Sequence, residues 1–274
     1  MKLPFDLTKL ESSALTDSIL QKRLSKFTHF PDLVNWLLGP APARDAAVLR
    51  RLIETTQKAV QPERSMGWAK QLNRDGSGDG VRPEDRWERT VWRKWRPSKG
   101  NMPATKFHEL APWILSYQVP LYGKQTSEGW GKIDLIGVSP KLLPVVVEIK
   151  AENSEESPLA VVLEAVRYGI ALRKLWGCGL REEWMKALEQ YEEKLLMPYE
   201  ALRNSDLQHC QLICAAPREY WLRRGTLTSS GEKYRRAWGA FRELCAKIKT
   251  DHGFPVKFVN LEFSARTLEA ENES

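Results

Sequence analysis

Residues 131–172 read GKIDLIGVSPKLLPVVVEIKAENSEESPLAVVLEAVRYGIAL, from Gly131 to Leu172. Four ionisable groups stand out in this stretch: Asp134, Glu148, Lys150 and Glu164. Ile133 to Val138 alternates and then meets Ser139-Pro140, a turn signal. Leu142 to Ile149 is valine-rich and reads as a buried strand. The two runs are close enough in sequence to form a hairpin. Strand side chains alternate faces, so Val146, Glu148 and Lys150 share one face and Val145, Val147 and Ile149 the other. A carboxylate and an ammonium then stand together at the end of an apolar strand. Burying them is costly unless they are paired or hold a metal. A hairpin brings Asp134 to the same place, and two converging carboxylates form an oxygen-rich pocket suited to Mg²⁺. The bland alternative is an Asp in a turn and a solvated Glu-x-Lys on an edge strand.

Working outward, Ser157-Pro158 opens a helix running to about Trp176, because serine caps well and proline fits the first turn. Glu164 and Tyr168 are four apart and share one helix face. Upstream, Thr105 to Tyr117 reads as a helix kinked by Pro112, and Gln118 to Tyr122 as a short strand. Downstream come a charged helix from Arg181 to Leu202 and a strand from Gln211 to Ala215. Ser229-Ser230-Gly231-Glu232 has the capping-box pattern and starts a helix to about Lys249. Val256 to Phe263 reads as the closing strand, and Ala265 to Ser274 as a polar, frayed tail.

This order resembles the PD-(D/E)XK nuclease superfamily, in particular its RecB-like branch. Gly131-Lys132-Ile133-Asp134 matches Gly-x-x-Asp, and Glu148-Ile149-Lys150 matches Asp/Glu-x-Lys. Glu164-Ala165-Val166-Arg167-Tyr168 stands where that branch carries Gln-x-x-x-Tyr, with Glu in place of Gln. The resemblance implies a restriction-endonuclease-like αβββαβ core with a mixed central sheet. Residues 105–264 would form that core, 1–104 a helical and basic N-terminal extension, and 265–274 the tail. It implies a Mg²⁺-dependent deoxyribonuclease, with Mn²⁺ as a substitute ion and DNA rather than RNA as substrate. Asp134, Glu148 and the main-chain carbonyl of Ile149 would hold the metal. Lys150 would orient or deprotonate a water, or neutralise charge on the phosphorane. Glu109, on the Thr105–Tyr117 stretch, would be the upstream acid. It and Glu164 would assist through water or a second ion, with Tyr168 packing or hydrogen-bonding near the phosphate. The extra carboxylate at Glu164 also fits a catalytically silent nucleic-acid-binding or assembly module on the same fold. A helical protein–protein adaptor with a solvated basic face is a third reading.

The 274 residues carry a net charge of +7 and 42% apolar residues, enough for a sizeable core and compatible with a nucleic-acid partner. The N-terminus has no apolar leader, and no run of about 18 apolar residues occurs. The expectation is a cytoplasmic protein without a membrane partner. Cys178, Cys210, Cys214 and Cys245 have no Cys-x-x-Cys or zinc spacing; Cys210 and Cys214, in an apolar strand-like run, read as core thiols rather than ligands. His108, next to Glu109, reads as a core or surface residue.

The N-terminal part reads as helical. A helix capped near Thr16 comes first, a second opens at Pro31-Asp32 and ends at Gly39, and a third spans Arg44 to Val60. Asp75 to Gly80 hints at a calcium loop, but Arg86 occupies the twelfth position, where a bidentate Glu is needed. Pro83 to Arg96 reads as a helix with Trp87, Val91 and Trp95 on one face. Arg86, Arg89, Arg93 and Arg96 point largely elsewhere, and Arg167 adds charge downstream. Arginine forks suit phosphate oxygens and aromatic rings stack on bases; equally, the tryptophans pack inward and the arginines are solvated.

Overall fold

A computed structural model describes residues 30–38, 49, 50, 52–54, 56, 57, 83–96, 106–120, 132–141, 143–188, 210–222, 231–263 and 268–272. The helix expected near Thr16, the Asp75–Gly80 loop, Gly131 and the cap at Ser229-Ser230 lie outside the described residues.

The fold is α/β. Its elements are α1 (Phe30–Leu37), α2 (Pro83–Trp95), β1 (Trp113–Pro120), β2 (Lys132–Val138), β3 (Pro144–Ile149), α3 (Pro158–Leu175), α4 (Arg181–Leu188), β4 (Gln211–Ala216), α5 (Arg218–Leu222), α6 (Gly231–His252), β5 (Val256–Phe263) and β6 (Leu268–Asn272). A kink over Trp176–Leu180, with non-helical backbone at Cys178 and a φ of 104° at Gly179, links α3 to α4. The strands form one mixed sheet in the order β1-β2-β3-β4-β5-β6. β1, β2 and β3 are antiparallel neighbours, β3, β4 and β5 are parallel, and β6 returns antiparallel.

The valine run behaves as its alternation demands. Val145, Val147 and Ile149 pack on one side of the sheet with Trp87, Val91, Trp92 and Trp95 of α2. Val146 packs on the other side with α3, α6 and α1. Both faces are covered, which is why β3 is buried along its whole length. Ser157 caps α3 as expected, its Oγ accepting from Ala160 N–H at 3.2 Å, with Pro158 in the first turn. On the far side, Phe30 meets Phe241 edge-on at 5.4 Å and Trp238 at 5.3 Å, which seats α1 on α6.

Two expectations need correction. The stretch read as a kinked helix up to Tyr117 contains instead a tight turn, with a bridge between His108 and Ala111, followed by β1. Trp113, Ile114, Tyr117 and Val119 are β-branched or aromatic, and strand pairing with β2 takes them over the helical pattern. The tail, expected to fray, places residues 268–272 as edge strand β6 against β5. The charged helix expected to Leu202 is described only as α4, through Leu188.

Gly169 lets α3 approach β4. A Cβ there would lie 2.9 Å from Phe254 Cε1 and 3.0 Å from Leu212 Cδ2. Alanine gains about 1 kcal/mol of helix propensity, but overpacking costs about 1–3 kcal/mol. Gly169→Ala is therefore expected to lower stability, read as a lower urea midpoint with an unchanged slope; a raised midpoint would show that Phe254 yields freely.

Candidate functional site

The site forms where β2 and β3 part. Their ladder runs Val138↔Pro144 to Leu135↔Val147. The next step of that register sets Asp134 opposite Glu148, on one face of the sheet. There β3 keeps its parallel pairing with β4 while its pairing with β2 ends. Lys150 N–H donates to the Ala215 carbonyl at 2.9 Å. Ile149 N–H donates instead to Asp134 Oδ2 at 2.8 Å. The aspartate thus takes over a ladder bond that β2 no longer accepts.

Lys150 and Glu148 are buried at 5% and 1% exposure. The Lys150 ammonium lies 2.9 Å from Glu148 Oε1, 2.9 Å from Glu156 Oε2 and 3.2 Å from Glu164 Oε2. One turn further along α3, Tyr168 donates its hydroxyl to Glu164 Oε1 at 2.9 Å. Asp134, Glu148, Lys150, Glu164 and Tyr168 therefore come together, drawn from β2, the end of β3 and α3. Ile149 meets Asp134 through its N–H.

Glu109 does not join them. It is exposed on the turn before β1. The acid that approaches Asp134 from upstream is Glu88 of α2, which is 5% exposed and accepts from Gln118 Nε2 at 3.3 Å. Its signal in the sequence is a carboxylate inside the tryptophan stripe, one turn before Trp92. Gln118 stands opposite Asp134 between the pairs Tyr117↔Leu135 and Val119↔Ile133. Its φ of 48° is left-handed, a costly backbone for a residue with a side chain. Nothing in the sequence marks Gln118 or Glu156 as neighbours of this site.

The charges follow from burial and crowding. Burial and the nearby Asp134 push Glu88 up to about 9, against the opposing Gln118 amide. Burial lifts Asp134 to about 7, against the pull of Lys150 and the Ile149 N–H. Burial and the charges of Asp134 and Glu164 raise Glu148 well above the carboxylate range. For Glu164 burial acts upward, but the Lys150 ammonium and the Tyr168 hydroxyl outweigh it and hold the group low. Burial opposes the Lys150 charge, yet Glu148, Glu164 and Glu156 raise it overall.

Glu148 Oε2 is buried without a hydrogen-bond partner. That orphaned oxygen, beside Asp134, fits a divalent cation. No group of three or more His, Cys, Asp or Glu side chains among the described residues is arranged to hold a metal by itself. Mg²⁺ commonly takes one or two protein carboxylates and keeps water, and Asp134 and Glu148 are the residues that would hold one here.

The arginines divide. Arg86 and Arg93 are exposed on α2. Arg89 donates to the Tyr117 hydroxyl at 3.2 Å, and Arg96 lies 5.3 Å from the Trp92 ring. Arg167 is only 3% exposed and faces the interior, so it offers no surface to a nucleic acid. Trp87, Trp92 and Trp95 are buried, the inward arrangement. No helix among the described residues is long and apolar enough to cross a membrane. No protein-family model, curated protein or solved structure matches the chain.

Two measurements probe this geometry. Glycine tolerates the Gln118 backbone and alanine does not. Gln118→Gly is expected to be more stable than Gln118→Ala by about 1 kcal/mol in chemical unfolding; equal stabilities would mean the chain relaxes there. For Glu88, the folded value of about 9 lies above its ordinary 4.5. The folded state then holds a proton that the unfolded state has lost, so this group's contribution falls as pH rises from 4.5 toward 9. Glu88→Gln should gain stability over the parent at pH 8 and little at pH 4, measured by unfolding at both values; an identical difference at the two would refute the shift.

Proposed function

We propose that the chain is a Mg²⁺-dependent phosphodiester hydrolase acting on DNA, built on a restriction-endonuclease-like core. The observation that carries this reading is the facing of Asp134 and Glu148 across the β2–β3 fork, with the Lys150 ammonium 2.9 Å from Glu148. Asp134 and Glu148 would hold the ion, with the Ile149 carbonyl as the expected main-chain ligand. Glu88 replaces Glu109 as the upstream acid. A divalent ion there supplies Lewis-acid polarisation of a phosphate and acidifies a water.

The side chains have separable tasks. Lys150 sits among acceptors that favour its ammonium form, so it serves as fixed positive charge toward the phosphorane oxygens rather than as a base. Glu164 accepts a hydrogen bond from the ammonium and is itself held by the Tyr168 hydroxyl. Gln118 orients Glu88 beside Asp134. Arg86 and Arg93 are exposed on the outer side of the helix that carries Glu88 and add positive charge to that surface. A DNA substrate is supported by the motif resemblance and by the +7 net charge.

The silent binding module also draws on a specific observation. Glu164, where the resembled pattern has a neutral amide, adds a carboxylate that engages Lys150. One assay separates the two readings: cleavage of single- and double-stranded DNA and RNA with Mg²⁺ or Mn²⁺. The parent protein should cleave DNA. Lys150→Ala and Asp134→Asn should each lose about 100- to 1000-fold in rate with circular dichroism unchanged. Undiminished cleavage by Lys150→Ala removes it from the mechanism, and metal-dependent binding without turnover by the parent favours the silent module.

A further inference from the structure

The third carboxylate on Lys150 belongs to none of the motif positions. Glu156 reaches the ammonium from the loop between β3 and α3, at 2.9 Å, as close as Glu148 does. Its side chain is 38% exposed, the most open of the three. Its main chain is held on both sides of Cα. The Tyr220 hydroxyl, on α5 and fully buried, donates to the Glu156 carbonyl at 2.9 Å. Glu156 N–H donates to Ser154 Oγ at 3.4 Å, and Ser154 N–H closes a turn on the Ala151 carbonyl at 3.1 Å. The next residue, Ser157, caps α3.

We propose that Glu156 is a positioning residue for Lys150, fixing the ammonium at the mouth of the site. The inference rests on the hydrolase reading above. A lysine ammonium has three N–H donors on a flexible four-carbon stem. Glu148, Glu156 and Glu164 place three carboxylate oxygens around it, one from a strand, one from a loop and one from a helix; Glu164 accepts a hydrogen bond, and Glu156 Oε2 is held as a close ion pair. Glu148 is also assigned to the cation, and oxygens engaged by a cation hold an ammonium less well. Glu156 has no such second duty. Tyr220 and Ser154 keep its backbone at one address, so the loop, rather than the metal set, defines where Lys150 points. A carboxylate near an anionic substrate is unfavourable by charge alone, and holding Lys150 is the contact that offsets this.

The test compares Glu156→Gln, Glu156→Asp and Tyr220→Phe in the full-length protein. Glu156→Gln should lower kcat by about 10- to 100-fold, the range for residues that orient a reacting group through another. KM for DNA and the Mg²⁺ activation midpoint should stay within about twofold. Glu156→Asp should recover part of the loss, and Tyr220→Phe should lose less than Glu156→Gln. Added to Lys150→Ala, Glu156→Gln should cost nothing more. A lowered KM with intact kcat would mean that Glu156 competes with substrate for Lys150 and would overturn the proposal, as would an unchanged kcat. A second measurement does not depend on turnover. In metal-free protein, a double-mutant cycle of Lys150→Met and Glu156→Gln, read as melting temperature, should show non-additive shifts. Additive shifts overturn the Lys150–Glu156 link even if the parent cleaves DNA. A parent that cleaves nothing, with coupling intact, overturns the hydrolase reading, and the positioning role in catalysis goes with it.

Discussion

The rest of the site depends on one exchange of hydrogen bonds. At Ile149 the β2–β3 ladder ends, and the main-chain N–H that β2 would have satisfied goes to the Asp134 carboxylate. On its other edge β3 stays paired with β4, and Lys150 N–H donates to the Ala215 carbonyl. A buried N–H left without a partner costs about 1–3 kcal/mol, so the fork needs an acceptor at that point. Asp134 supplies it from a side chain. That single bond fixes the carboxylate beside Glu148. Glu164 and Tyr168 reach the same place from α3, Glu164 at Lys150 and Tyr168 at Glu164. Position, charge and access are thus set together by the end of one antiparallel ladder.

Helix α2 closes the arrangement from the opposite face of the sheet. Its tryptophans pack on Val145, Val147 and Ile149, and Trp87 Nε1 donates to Glu152 Oε2 at 2.9 Å, just beyond Lys150. The helix that brings Glu88 is therefore tied to the same loop that brings Glu156. Gln118, opposite Asp134, keeps a left-handed backbone at the point where its amide meets Glu88. Strain retained beside a cluster of buried acids is the pattern expected where geometry serves chemistry rather than stability.

Much of this was legible from local signals. The valine run, the alternation after Gly131 and the Ser-Pro start of α3 each carry their own periodicity or cap, and the sheet places them accordingly. The four-residue spacing of Glu164 and Tyr168 predicts a shared face, and their side chains meet. The upstream acid was misplaced because Trp113 to Val119 has residues that suit a strand only when a partner strand is present, and β2 lies beyond an intervening loop. Once that segment is a strand, Glu109 is left on a turn and α2 is the helix that packs beneath the site. Glu88 could have been noticed as the charge within a tryptophan stripe. Glu156 and Gln118 could not, since a long-range contact decides each.

Charge gives the arrangement its sense. Glu88, Asp134, Glu148, Glu156 and Glu164 converge on a region where Lys150 is the cation that pairs with three of them. Like charges so close in a poorly solvated site cannot all stay ionised without a cation among them. Burial first, and the neighbouring carboxylates second, raise Glu88, Asp134 and Glu148 above the ordinary carboxylate range. The molecule as a whole is nonetheless basic, with Arg86 and Arg93 exposed on the outer side of the helix whose inner side carries Glu88. The positive charge of the surface and the buried acids are thus kept on separate parts of the molecule, the acids facing Lys150 and the exposed arginines facing outward.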